Sequence, residues 1–175
     1  MIKLDNIKEL GLKITWQLLH LGFQSCEIFN GSVSAEEVID FAIELMEKDV
    51  DNLDIFELSC EYNTNVENIS KCLEKLSYQE NTNYNIEFRK WRVAYVINNL
   101  PLEGEDCVRG LIQLGDIWCV FNFPDDSPHT YQERNNMNFP EQYYSNQNYR
   151  LLLIRHNEWI EEELKFLMQQ DKLIL

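Results

Sequence analysis

Basic residues are scarce in this chain. Lysine and arginine number 15 against 30 aspartates and glutamates, a formal net charge of −15 over 175 residues. Nucleic-acid binding is driven by Lys and Arg neutralising phosphates, and anionic membrane surfaces attract the same cations, so both partner classes are disfavoured. Only six glycines are present, few for backbone loops that cradle phosphate. The G-x-G-x-x-G, P-loop, G-x-S-x-G and H-E-x-x-H patterns are all missing. No apolar run approaches the ~20 residues of a membrane-spanning helix. The opening Met1-Ile2-Lys3-Leu4-Asp5-Asn6 does not read as a secretory signal, so the expected compartment is the cytoplasm. The five cysteines, at 26, 60, 72, 107 and 119, are odd in number and include no C-x-x-C pair. That excludes the usual starting points for a disulfide framework or a zinc ribbon. They are expected as buried free thiols, which pack like small apolar side chains.

Hydrophobic residues make up 45% of the chain, enough for a globular core. The length falls within the roughly 100–200 residues of one domain. The reading is a single all-α domain over residues 1–175: a compact bundle of about seven helices with at most a short strand pair.

Periodicity places those helices. Ile7, Leu10, Ile14, Leu18 and Leu21 repeat at helical spacing, with a break at Gly11 and a restart at Thr15, which serves as a cap. Ser34 and Glu37 form an S-x-x-E capping box at the start of a helix to Lys48. Its exposed sector carries Glu36, Asp40, Glu44 and Glu47. A helix over Leu53–Tyr62, capped by Asp51 or Asn52, sets Asp54, Glu57 and Glu61 along one side. Thr64 and Glu67 suggest another capping box, before the stripe Val66, Ile69, Leu73 and Leu76. Tyr78–Asn85 reads as a loop. Glu87–Asn99 is apolar on most sides, as befits a central helix, with Trp91 expected in the core. Asp106–Phe121 is helix-like, though Ile117-Trp118-Cys119-Val120-Phe121 also suits a strand. A polar segment over 124–148, rich in Asn and Gln and containing Tyr131, Phe139, Tyr143 and Tyr144, precedes a final helix from about Asn148 to Gln170. In that helix Glu158, Glu161, Glu162 and Glu163 are expected to face water.

Chemistry-bearing groups are thin. The histidines are His20, His129 and His156, and no residue is assigned a catalytic role. Asp125, Asp126 and His129, with Glu133 beyond, have oxygen and nitrogen donors at short spacing. They define the competing reading, an enzyme with a metal-dependent site. The simpler reading is a turn bracketed by Pro124 and Pro128, so no metal and no cofactor are expected. Residues 58–72 have the approximate spacing of a helix-turn-helix. The second helix, however, holds Glu67, Lys71, Glu74 and Lys75, which sum to zero charge, whereas a DNA-reading helix needs donors for phosphates and bases. A plain helical hairpin is expected.

The acid is concentrated. Residues 36–75 hold twelve acids and three bases. Such a face either keeps the protein soluble or steers a basic partner, acting on encounter and specificity. The candidate partner-binding residues are Glu36, Asp40, Glu44, Glu47, Asp54 and Glu57.

Several short pieces carry a resemblance. They are Ile14-Thr15-Trp16; Val33-Ser34 leading to Val38-Ile39-Asp40-Phe41-Ala42; Glu57-Leu58; Lys90-Trp91-Arg92; and Ile117-Trp118 with Phe121 and Pro124-Asp125-Asp126. Together, from about Thr15 to Trp159, the chain resembles an uncharacterised family of small acidic bacterial proteins, a domain of unknown function. The Asn-rich stretch from Gln132 to Asn148 departs from its pattern. The resemblance implies no activity, so no catalytic residue is carried over, but it implies an association with toxin–immunity loci. Joined to the acidic face, it gives the functional expectation: a non-enzymatic, immunity-type protein that covers the surface of a basic protein, possessing no nucleic-acid or membrane partner. A regulatory adaptor for a cellular protein is the third reading.

Overall fold

The computed structural model describes residues 2–48, 50–102, 104, 106–130 and 139–173. Tyr131 and Glu133 lie outside the described residues. Among the described residues there is no strand, and no helix is long and apolar enough to cross a membrane. The helices are α1 (Leu4–Glu9), α2 (Trp16–His20) continued by a π-helical turn (Leu21–Ser25), α3 (Ala35–Met46), α4 (Leu53–Ser59), α5 (Val66–Gln79), α6 (Tyr84–Asn99), α7 (Cys107–Val120), α8 (Pro140–Tyr143) and α9 (Asn146–Asp171). The all-α expectation holds, and the ambiguous Ile117–Phe121 stretch is the end of α7, not a strand.

Local capping explains most helix starts. The Thr15 hydroxyl accepts from the Leu18 N–H at 3.0 Å. The Ser34 box closes in both directions: Ser34 Oγ accepts from the Glu37 N–H at 3.2 Å, and Glu37 Oε2 accepts from the Ser34 N–H at 2.7 Å. Asn52 Oδ1 accepts from Asp54 and Ile55 at the head of α4, and Asp106 Oδ1 does the same for α7. The Thr64–Glu67 box does not form. Asn65 is the residue before α5, and no side chain caps that helix. The expected loop at Tyr78–Asn85 shrinks to residues 80–83, because α5 continues to Gln79 and α6 begins at Tyr84.

The described chain divides into two compact units. Unit 1 comprises residues 1–94 and 167–175. Here α3 packs on α4, and α5 packs on α2 and α4, around a core that includes Leu18, Phe29, Val38, Leu58, Ile69 and Trp91, each fully buried. The Trp91 indole N–H donates to the Leu18 carbonyl at 2.9 Å, and its ring stacks on Phe29. The π-helical turn meets this indole at Gly22, where a Cβ would stand 2.5 Å from a Trp91 ring carbon. Only glycine permits that approach. Unit 2, residues 95–166, has a core of Val96, Leu111, Leu114, Trp118 and Leu152. Trp159 meets the Trp118 ring edge-on at 5.0 Å.

Two expectations about surface and core are corrected. None of the five free cysteines is fully buried, and Cys60 and Cys119 are exposed, because Cys60 ends α4 away from buried Ile55 and Leu58 and Cys119 lies on the side of α7 opposite buried Leu111 and Leu114. Glu163 is 4% exposed, not solvent-facing. It lies seven residues beyond buried His156 and four before buried Leu167, on the inward stripe of α9.

Candidate functional site

Helix α3 presents its acids as the periodicity predicts. Val38, Ile39 and Ala42 are buried, which turns Glu36, Asp40 and Glu44 to water, with Glu47 exposed at the helix's C-terminal cap. None of these four carboxylates has a basic partner among the described residues. Exposed apolar side chains accompany them on the same pair of helices: Ile43 on α3, and Leu53 (70% exposed) and Phe56 (51%) on α4.

The remaining two candidates stand apart from this group. Asp54 is half-buried and spoken for: its carboxylate accepts from Lys75 at 2.6 Å and from Gln79 at 3.0 Å. The Lys75 hydrogen bond, followed by that from Gln79, lowers its pKa. Glu57 is exposed, and together with Glu61 and Asp54 it acts on the α5 thiol of Cys72, whose pKa is raised first by burial and then by these three acids. The six candidates therefore form an α3 set of four unpaired acids and an α4 pair turned toward α5, where a lysine already neutralises part of the charge.

The Asp125–Asp126–His129 reading has no assembled site. Both aspartates are exposed while His129 is buried, and no group of three or more metal-binding side chains converges among the described residues. His129 instead joins a buried aromatic chain in unit 2. Tyr143 Oη lies 3.2 Å from His129 Nε2, and the His129 and His156 rings are 5.9 Å apart. Trp118 Nε1–H donates to His156 Nε2 at 2.8 Å, and His156 Nδ1 lies 2.6 Å from the Leu152 carbonyl. A carbonyl only accepts, so Nδ1 carries the proton and His156 is held neutral in one tautomer. Burial lowers the pKa of both rings, His129 to about 4.

A second buried polar cluster lies in unit 1. Lys90 and Glu87 are both 0% exposed on α6. The ammonium contacts Glu87 at 3.1 Å, Asp171 at 2.6 Å and the Lys13 carbonyl at 2.9 Å. Asp171 Oδ2 also accepts from the Lys13 N–H. Burial pushes the Glu87 carboxyl up, against the pull of Lys90. This ion cluster was not read from the sequence. The available signal was an i,i+3 Glu–Lys pair on a helix apolar on nearly every side, where any charge has to be buried. Glu87 Oε2 and Asp171 Oδ1 accept no hydrogen bond but both lie within ion-pair distance of the ammonium, so the cluster is held by charge and is structural.

No curated protein and no solved structure matches this chain. A family model does, over residues 4–164, described as an uncharacterized protein conserved in bacteria (DUF2247). That span takes in the Asn-rich stretch that seemed foreign to the pattern, and it extends the resemblance at both ends. The chain belongs to this uncharacterised bacterial family.

Proposed function

We propose that this is a non-enzymatic binding protein of immunity type, acting in the cytoplasm, that occludes the cationic surface of a basic protein such as a toxin. The reading rests on one observation: four exposed carboxylates on α3 without basic partners, accompanied by exposed Ile43, Leu53 and Phe56. Acids steer a cationic partner and set its orientation, and apolar side chains supply the desolvated anchors that carry most binding energy. Occlusion follows when the carboxylates occupy positions that the partner uses for an anionic substrate. Asp54 contributes less than its neighbours, since its charge is shared with Lys75.

The test is to capture the partner from the native host, then follow association kinetics at two salt concentrations with wild type and the Asp40→Lys/Glu44→Lys variant. Both positions point to water, so the fold should persist. Association should slow and lose most of its salt dependence, because exposed charges are screened beyond about 8 Å at physiological ionic strength. A partner that binds the reversal as fast as wild type at both salts would reduce the acidic face to a solubilising surface.

A further inference from the structure

Unit 2 carries a feature that the acidic face does not use. The end of α6, the turn after it and the outer side of α9 enclose a groove of about 470 Å³. Its apolar wall is Ile97, Leu100, Leu102, Leu153 and Ile154, and its one charged lining residue is Arg150. Leu102 is 73% exposed and Ile154 54% exposed, so apolar surface is left open to water, where it is costly. The guanidinium of Arg150 is exposed and has no hydrogen-bond or ion-pair partner among the described residues, in a chain with two acids for every base.

The wall is held in place rather than formed on demand. Tyr149 Oη donates to the Leu102 carbonyl at 3.0 Å, tying the turn to α9. The Tyr149 ring in turn lies against α7 at Gly110, where a Cβ would fall 2.4 Å from a ring carbon. Gln113 donates to the Asn99 carbonyl, and Asn99 donates back to Tyr95, fixing the end of α6. Arg150 also borders a second, more polar depression lined by Asn146 and Gln147. An apolar trough thus runs up to a cation that has no partner among the described residues, with solvated amides on its far side.

We propose that this groove binds a free amphiphile with one anionic head and an apolar tail of medium length, the class of a fatty carboxylate. The size falls in the range of small-molecule sites, roughly 300–1,000 Å³, and the lining is of their kind, mostly apolar with two polar side chains, Arg150 and Asn157. The head pairs with Arg150 in a planar, bidentate geometry suited to a carboxylate. The tail lies along Leu102, Leu153 and Ile154. A free molecule is favoured over a bilayer because the groove is a recess with a single cation, whereas anionic membrane surfaces are held by clusters of basic residues.

The probe is decanoate, titrated calorimetrically below its micellar concentration, with decanol as the uncharged control. Vesicles of phosphatidylcholine and phosphatidylglycerol test the bilayer. Wild type should bind decanoate saturably, one per chain. Arg150→Gln should weaken decanoate by about tenfold, the scale of a charge-assisted hydrogen bond, and leave decanol unchanged. Arg155→Gln, on the same helix but outside the groove, should change neither. Leu102→Ser, at an exposed position, should weaken both ligands. Absence of saturation would overturn the proposal, and so would equal affinity of wild type and Arg150→Gln for decanoate. Co-sedimentation of wild type with the vesicles, lost in Arg150→Gln, would overturn it in favour of a membrane headgroup.

Discussion

Acid should destabilise unit 2 through its two histidines. The His129 pKa falls from 6.5 to about 4, through burial first and the adjacent His156 second, and burial lowers His156 as well. In the unfolded chain both rings return to about 6.5. Between that value and the folded pKa, the unfolded state binds more protons than the folded one, so stability falls as pH falls. The contribution is intact above about pH 6.5 and is lost progressively down to about pH 4. At about 1.4 kcal/mol per unit of pKa difference, His129 alone accounts for roughly 3 kcal/mol, a large share of a typical 5–15 kcal/mol stability. His156 acts in the same direction, because a proton on Nε2 would confront the Trp118 N–H now donating to it. Two influences oppose this trend. Acid relieves the self-repulsion of the net charge, and the raised pKa values of Glu80 and Glu87 favour the folded state as their carboxyls protonate. A His129→Phe variant separates these contributions. It should be less stable than wild type at pH 7.5, since the Tyr143 contact is lost, yet decline less steeply toward pH 4.5 in urea melts. The imidazole proton resonances of wild type report the same quantity directly, with a His129 midpoint near 4. A midpoint near 6.5, or parallel pH profiles for the two proteins, would refute the argument.

Three further outcomes are expected. Ser34→Ala removes a capping oxygen that accepts from the Glu37 N–H and should lower stability by about 0.5–2 kcal/mol; an unchanged urea midpoint and slope would place the helix start elsewhere. Trp91→Ala empties a fully buried site and deletes the hydrogen bond to Leu18, so a loss of about 3–5 kcal/mol is expected, read as poor folding or a collapsed thermal transition. Lys90→Met leaves Glu87 and Asp171 facing each other without a counter-ion and should cost about 3–5 kcal/mol. Adding Glu87→Gln should restore part of the loss, which a double-mutant comparison would detect.

The helix starts legible in the sequence were those decided within four residues. Thr15 and Ser34 were readable as caps, and Asn52 as one of two choices with Asp51, because each caps the chain immediately following; Asp106 caps α7 in the same way, though only the start of that helix was read. The Thr64 box has the right spacing but does not form: α5 begins one residue later, the Asn65 side chain donates to Glu61, and Glu67 accepts from Lys71. Trp91 was readable as core because its helix is apolar on most sides. The role of Lys90 on that same helix was not, since its partners come from Lys13 and Asp171, remote in sequence. Glu163 was misplaced for a related reason: the charge of a residue is visible in the sequence, while the facing of a long helix is fixed by what packs on it. The α3 acids were placed correctly as exposed by the 3.6-residue period. The division between them and the Asp54–Glu57 pair required knowing that Lys75 reaches across from α5.

The ion cluster around Lys90 also bears on the order in which the protein is made. Unit 1 draws on residues 1–94 and 167–175, with the whole of unit 2 encoded between them. A ribosome adding roughly 5–20 residues per second takes several seconds to travel from Lys90 to Asp171. Throughout that interval, while unit 2 is being translated, the nascent ammonium has Glu87 at hand but not the carboxylate that completes its burial. Unit 1 therefore cannot close around Lys90 until the last residues of α9 are made. That delay is a window in which the first half of the chain is exposed to chaperones and proteases, and it recurs in every round of translation.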